Sequence, residues 1–125
     1  MNILYIDTTE KNLYLSLYKN NEFTEFKGND EYTSVTLLDS VDEILKKQSL
    51  AVNEIDVFCV NIGPGSFTGT RTGVITAAFF SELNQKKLVY INKEDDISEI
   101  KKYAVERENQ ISPVALYERK SYFEK

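Results

Sequence analysis

Asn61-Ile-Gly-Pro-Gly-Ser-Phe-Thr-Gly-Thr-Arg-Thr-Gly73 lies between an apolar run and a stretch of helical spacing, and its reading decides the fold. Gly63 and Gly65 can adopt positive φ, and Pro64 fixes a turn between them. A hydroxyl at Ser66 or Thr68 can cap a following helix. The pattern predicts a strand over 53–61, buried on both faces, then a loop over 63–69 and a helix over 70–84. The loop's backbone N–H groups can also cradle an anion. It is not a P-loop, because the Gly-Lys-Ser/Thr ending is missing. It is not the dinucleotide fingerprint either, because Gly69 comes one position late.

Upstream, residues 2–8 read as a buried strand. Residues 12–19 alternate, with Leu13, Leu15 and Leu17 on one side and Tyr14, Ser16 and Tyr18 on the other;. A turn at Asn20-Asn21 leads into a third strand over 22–27, which completes a meander with the second strand antiparallel to its neighbours. Residues 31–48 carry a broad apolar stripe at helical spacing: Val35, Leu38, Val41 and Leu45, with Leu37 and Ile44 beside them;. Downstream, 87–91 reads as a strand and 96–108 as a helix with Ile97, Ile100 and Ala104 on one side. Ser112-Pro113 then breaks the chain, and Val114 to Phe123 is expected to form a strand or hairpin. The order βββαβαβα predicts an α/β domain with a mixed five-stranded sheet and flanking helices. Domain organisation is expected as 1–110 for this unit and 111–125 for the remnant of a second.

The chain has 125 residues, 42% apolar and 28% charged, with net charge −5, which suits one compact domain with a real core;. An acidic balance repels phosphate backbones, so a nucleic acid is not expected to bind this chain tightly by itself. No apolar run approaches the ~20 residues of a membrane span. Met1 to Leu17 is interrupted by Asp7, Glu10 and Lys11, so it does not read as a leader, and a cytoplasmic location is expected;. There is no histidine, which removes imidazole-dependent catalysis and histidine metal ligation;. The single cysteine, Cys59, lies in an apolar run and reads as core;.

Gly63-Pro64-Gly65-Ser66-Phe67-Thr68-Gly69, followed by Arg71 and Gly73, resembles the signature of the TsaB (YeaZ) family. Ile6-Asp7-Thr8-Thr9 is similar to that family's start, and Val114 to Tyr122 to its later strand. The resemblance implies an actin-like ATPase (ASKHA, RNase H-like) fold. It implies a non-catalytic scaffold role in making threonylcarbamoyladenosine in tRNA, with a catalytic TsaD partner and a TsaE ATPase in the complex. It also implies that the first two helices form the TsaD-binding surface. Two departures stand out. Tyr32-Thr33-Ser34 replaces the histidine that opens the first helix in the family. The chain is about half the usual family length, as expected of a minimal or truncated form.

The residues themselves favour a scaffold over an enzyme, and no cofactor or metal is expected. Actin-like ATPases hold phosphate on a glycine-containing hairpin, whereas residues 7–12 here contain no glycine. Asp7 reads as the residue capping that hairpin rather than as a metal ligand. Ser66 and Thr68 have no base beside them and are not expected to act as nucleophiles. Arg71 reads equally as a partner contact and as a helix-start salt bridge. Gly73, Ala77, Ala78 and Ser81, with Val74 nearby, are small enough to admit a partner helix. A pairing surface is therefore expected from Val35, Leu38, Val41, Leu45, Gly73, Val74, Ala77, Ala78 and Ser81, used by a homodimer when the chain is alone. Two rival readings are a degenerate actin-like domain binding a nucleotide or anion at 63–69, and the peptidase label attached to relatives of the family.

Overall fold

The computed structural model describes residues 1–28 and 34–110, with side chains from Thr36 onward in the second stretch. The strands are β1 (Ile3–Asp7), β2 (Tyr14–Lys19), β3 (Glu22–Lys27), β4 (Val57–Asn61) and β5 (Lys87–Ile91), and the helices are α1 (Ser34–Lys47), α2 (Phe67–Leu83) and α3 (Ile100–Glu106). They form one five-stranded sheet in the order β3-β2-β1-β4-β5. β2 runs antiparallel to β1 and β3, while β4 pairs parallel with β1 and β5. The mixed sheet and the antiparallel second strand are as the sequence predicts.

Side-chain alternation divides the sheet between two cores. Leu4, Ile6, Leu15, Leu17, Phe58, Val60 and Leu88 face α1 and α2. Ile3, Tyr5, Val57, Cys59, Val89 and Ile91 face α3, which contributes Ile100 and Ala104. Burial pushes the Cys59 thiol up to about 12, so it is inert packing as expected;. β1 and β4 are parallel neighbours, so their C-terminal ends lie side by side, which places the start of α2 beside the β1–β2 hairpin.

Several boundaries differ from expectation. β4 begins at Val57 because residues 52–54 form a 3₁₀ turn, closed by Glu54 Oε1 accepting from Ala51 N at 2.9 Å. The third helix is shorter than 96–108, because Asp96 starts a 3₁₀ turn first, its carboxylate accepting from Ser98 N. α2 starts at Phe67 rather than 70, for the capping reason given below. The expected start of the first helix at 31–33 and the expected strand or hairpin over 111–125 lie outside the described residues.

Candidate partner-docking site

The motif loop is built against the β1–β2 hairpin. Ser66 is the N-cap of α2, and its hydroxyl accepts from Gly69 N at 3.2 Å. Thr68 lies within the helix and caps nothing. Ser66 N donates to Thr9 O at 2.8 Å, and the Thr8 hydroxyl donates to Gly69 O. Gly63 has φ +99, so its conformation calls for glycine;. Gly65 is needed for a different reason from the expected one. Its φ is not positive, but a Cβ there would come within 2.6 Å of the Thr9 backbone. Hairpin and loop are thus pressed together, with Thr8 and Thr9 occupying the contact.

A buried polar chain under the loop escaped the sequence reading. Asn61 Nδ2 donates to Tyr5 OH at 2.9 Å, and Tyr5 OH donates to Asp7 Oδ2 at 3.2 Å. Asn61 Oδ1 accepts from Gly63 N at 2.8 Å. Burial raises the Tyr5 phenol well above its ordinary value, keeping it a neutral donor;. Asp7 Oδ1 accepts from Thr9 N and from the Thr9 hydroxyl, so this carboxylate caps the hairpin. Lys93 forms an ion pair with Glu10 at the hairpin tip. The loop amides of Gly63, Ser66 and Gly69 are all spent on partners within the chain. Those three amides are therefore not available to an anion.

The two faces of α2 correct the expected pairing surface. Gly73, Ala77, Ala78 and Ser81 are buried against the chain's own sheet, and Val74 packs on the same core. A Cβ at Gly73 would collide with the Thr8 hydroxyl, so the missing side chain admits the hairpin and not a partner helix. Val41 and Leu45 are likewise buried, beside Leu37 and Ile44. These four occupy a continuous arc of α1 turned to the sheet, and Leu38 lies just outside that arc at 46% exposed;. The Val35 side chain lies outside the described residues.

The surplus apolar surface is present but is carried by larger residues. On α2, Phe67 is 75% exposed, Ile75 47%, Phe79 49% and Leu83 69%. Ile75, Phe79 and Leu83 follow at four-residue spacing, which aligns them in a stripe. An open groove of about 320 Å³ runs along this face, lined by Phe67, Thr68, Arg71, Thr72, Ile75 and Thr76. Its threonines are less polar than they look. Thr72 and Thr76 donate their hydroxyls back to Thr68 O and Thr72 O, which satisfies both donors within the helix;. Arg71 makes no ion pair among the described residues; its guanidinium sits 5.3 Å from the Phe67 ring centre;. The salt-bridge reading of Arg71 therefore falls away. Large residues at four-residue spacing were visible in the sequence, but the small ones beside them read as the more obvious seam.

Over 76 residues the chain is 36% identical to the tRNA threonylcarbamoyladenosine biosynthesis protein TsaB of Buchnera aphidicola, covering 60% of this chain and 34% of that protein. It is 32% identical over 74 residues to the TsaB of Haemophilus influenzae, covering 58% of this chain and 31% of that protein. A family model described as TsaD: tRNA N6-adenosine threonylcarbamoyltransferase matches residues 30–117, more than half of the chain. The chain belongs to the TsaD family as a TsaB (YeaZ) member. The solved YeaZ of Pseudomonas aeruginosa superposes with a TM-score of 0.69 at 20% identity, over 73% of this chain and 43% of that one. A second structure, described as an uncharacterized protein with similarity to peptidase YEAZ from Pseudomonas aeruginosa, matches to the same extent. The fold is thus the actin-like α/β fold that the motif resemblance implied. The matched stretches span about a third of the TsaB relatives' own length.

Proposed function

We propose that this TsaB-type chain is a non-catalytic scaffold subunit in the synthesis of threonylcarbamoyladenosine in tRNA. It docks on a TsaD-type catalytic subunit through the outward faces of α1 and α2 and activates it. The observation that carries this reading is the exposed stripe Ile75–Phe79–Leu83 beside an open groove lined by Phe67, Arg71, Ile75 and three threonines. Single exposed apolar residues need no explanation, but an aligned row of large ones marks an interaction surface. Burying such a row against a partner's apolar helix gives roughly 25 cal/mol per Å² of apolar area.

Two further features support a role without chemistry. The hairpin that holds phosphate in actin-like ATPases is here packed shut by Thr8 and Thr9 against Gly65 and Gly69. The chain also offers no imidazole, and its one thiol is buried. On this reading a TsaE-type ATPase and tRNA join through the complex, in the cytoplasm. Among the described residues no helix is long and apolar enough to cross a membrane.

Reconstitution tests it. Threonylcarbamoyl transfer to tRNA by the TsaD-type subunit of the same organism is measured with and without this chain, and with the chain alone. Stimulation of the TsaD-type subunit and no turnover by the chain alone are expected. Turnover by the isolated chain, or no effect on the TsaD-type subunit, contradicts the proposal.

A further inference from the structure

Strand alternation puts Tyr5 and Asp7 of β1, and Asn61 of β4, on the side of the sheet that faces α3;. Their neighbours there, Ile3, Val57, Cys59, Val89 and Ile91, are apolar. An apolar residue at 5 or 61 would continue that core. The polar atoms are spent on the motif loop instead, and their bonds close a circuit. Gly63 N donates to Asn61 Oδ1, Asn61 Nδ2 to Tyr5 OH, and Tyr5 OH to Asp7 Oδ2. Asp7 Oδ1 accepts from the Thr9 amide and hydroxyl. Thr9 O then accepts from Ser66 N, which returns to the loop three residues after Gly63. Tyr5, Thr9 and Asn61 are all buried, and a buried network with every member satisfied holds one geometry;.

We propose that this circuit positions the docking groove: from inside the sheet, Tyr5 and Asn61 fix the loop over 63–66 and with it the first turn of α2. Both ends of the loop are tied to the same pair of strands, and the helix begins at the second tie. Ser66 is the cap, Phe67 follows it directly, and Arg71 lies one turn further with its guanidinium over the Phe67 ring. Phe67 and Arg71 both line the groove. Tyr5 acts on them through Asp7, Thr9 and Ser66, as a positioning residue. The use of this device in docking rests on the functional reading above, whereas the hold of the circuit on the helix start does not.

Opening the circuit at two different links is the test. Tyr5→Phe removes one oxygen and keeps the ring with its edge contact to Tyr14. Asn61→Ala opens the next link. Ile3→Val, in the same strand and the same core but outside the circuit, is the control. Amide hydrogen exchange of the full chain is followed by nuclear magnetic resonance at Ser66, Gly69 and Thr70. None of these amides bonds to an altered side chain. Each rate is taken relative to the Cys59 amide inside β4, so that a change in global stability cancels. Both circuit variants should raise these ratios about tenfold or more, and the control should leave them as in the parent. Capture of the TsaD-type subunit should weaken about tenfold in the circuit variants and stay parental in the control.

Parental exchange ratios in the circuit variants, or an equal rise in the control, would overturn the proposal. Faster exchange with parental capture would overturn the positioning of the groove. A parent chain that captures no TsaD-type subunit removes the functional reading, and the exchange ratios then decide by themselves whether the circuit holds the helix start.

Discussion

The inner and outer faces of α2 invert the usual division of labour in a surface helix. The inner face is made of Gly73, Ala77, Ala78 and Ser81, while the outer face carries Phe67, Ile75, Phe79 and Leu83. Small residues inside let the helix backbone settle onto β4 and against Thr8;. That close approach is what lets Ser66 and Gly69 bond to the hairpin. The large apolar residues outside keep about half or more of their surface open to solvent, which a covering surface would bury;. The inner face is therefore a matter of stability, the outer face is the docking surface proposed above, and substitutions should separate the two.

The largest expected effect is on the inner face. Ala77→Arg puts a charge into a fully buried site, and should cost more than about 4 kcal/mol;. Its thermal transition should be lost or sharply lowered. Normal melting with failed partner capture would restore Ala77 to the interface and invert the comparison. Next comes Gly65→Ala, whose Cβ would press on Thr9; roughly 1–3 kcal/mol of overpacking is expected, read from a denaturant midpoint;. An unchanged midpoint would show that hairpin and loop are not in the contact described.

A smaller effect is expected away from α2, where Arg107 forms a bidentate pair with Asp95 at 2.7 and 2.8 Å and donates to Tyr90 O. Arg107→Ala should cost about 1–2 kcal/mol. Hydrogen bonding from Arg107 holds the Asp95 carboxyl below the usual carboxylate range. A depressed folded value means the contribution is fully present above the unfolded value near ~3.9 and is lost as pH falls through the folded value. Parent and variant should therefore differ at neutral pH and converge in acid. A gap that is constant down to the lowest pH at which both fold would rule out Asp95 as the group involved.

The sheet was legible because its signals are local: alternation in β2, an unbroken apolar run in β4, and a turn at Asn20-Asn21. The motif loop was legible as strand, turn and helix start, but not in the reason for each glycine. Gly63 is needed for its φ, whereas Gly65 and Gly73 are needed for contacts with residues more than fifty positions away. The same distance hid the Tyr5–Asn61 bond, since nothing near either residue signals the other. On the helices, apolar spacing showed how wide the stripe is but not which part of it the sheet would claim. Val41 and Leu45 went inward and Leu38 stayed out, a choice settled by how α1 lies across β2 and β3.

The smallest effect on stability belongs to the outer face, and with it the most direct test of the account. Phe79→Glu replaces a half-exposed ring in the middle of the stripe, and its melting should stay within about 0.5 kcal/mol of the parent;. Affinity of parent and variant for the TsaD-type subunit of the same organism is measured by titration calorimetry, with melting curves on the same samples. The account predicts an unchanged melt and binding weakened at least a hundredfold, on the scale of an interface hot spot. An unchanged melt with unchanged binding would contradict it and place the docking surface elsewhere.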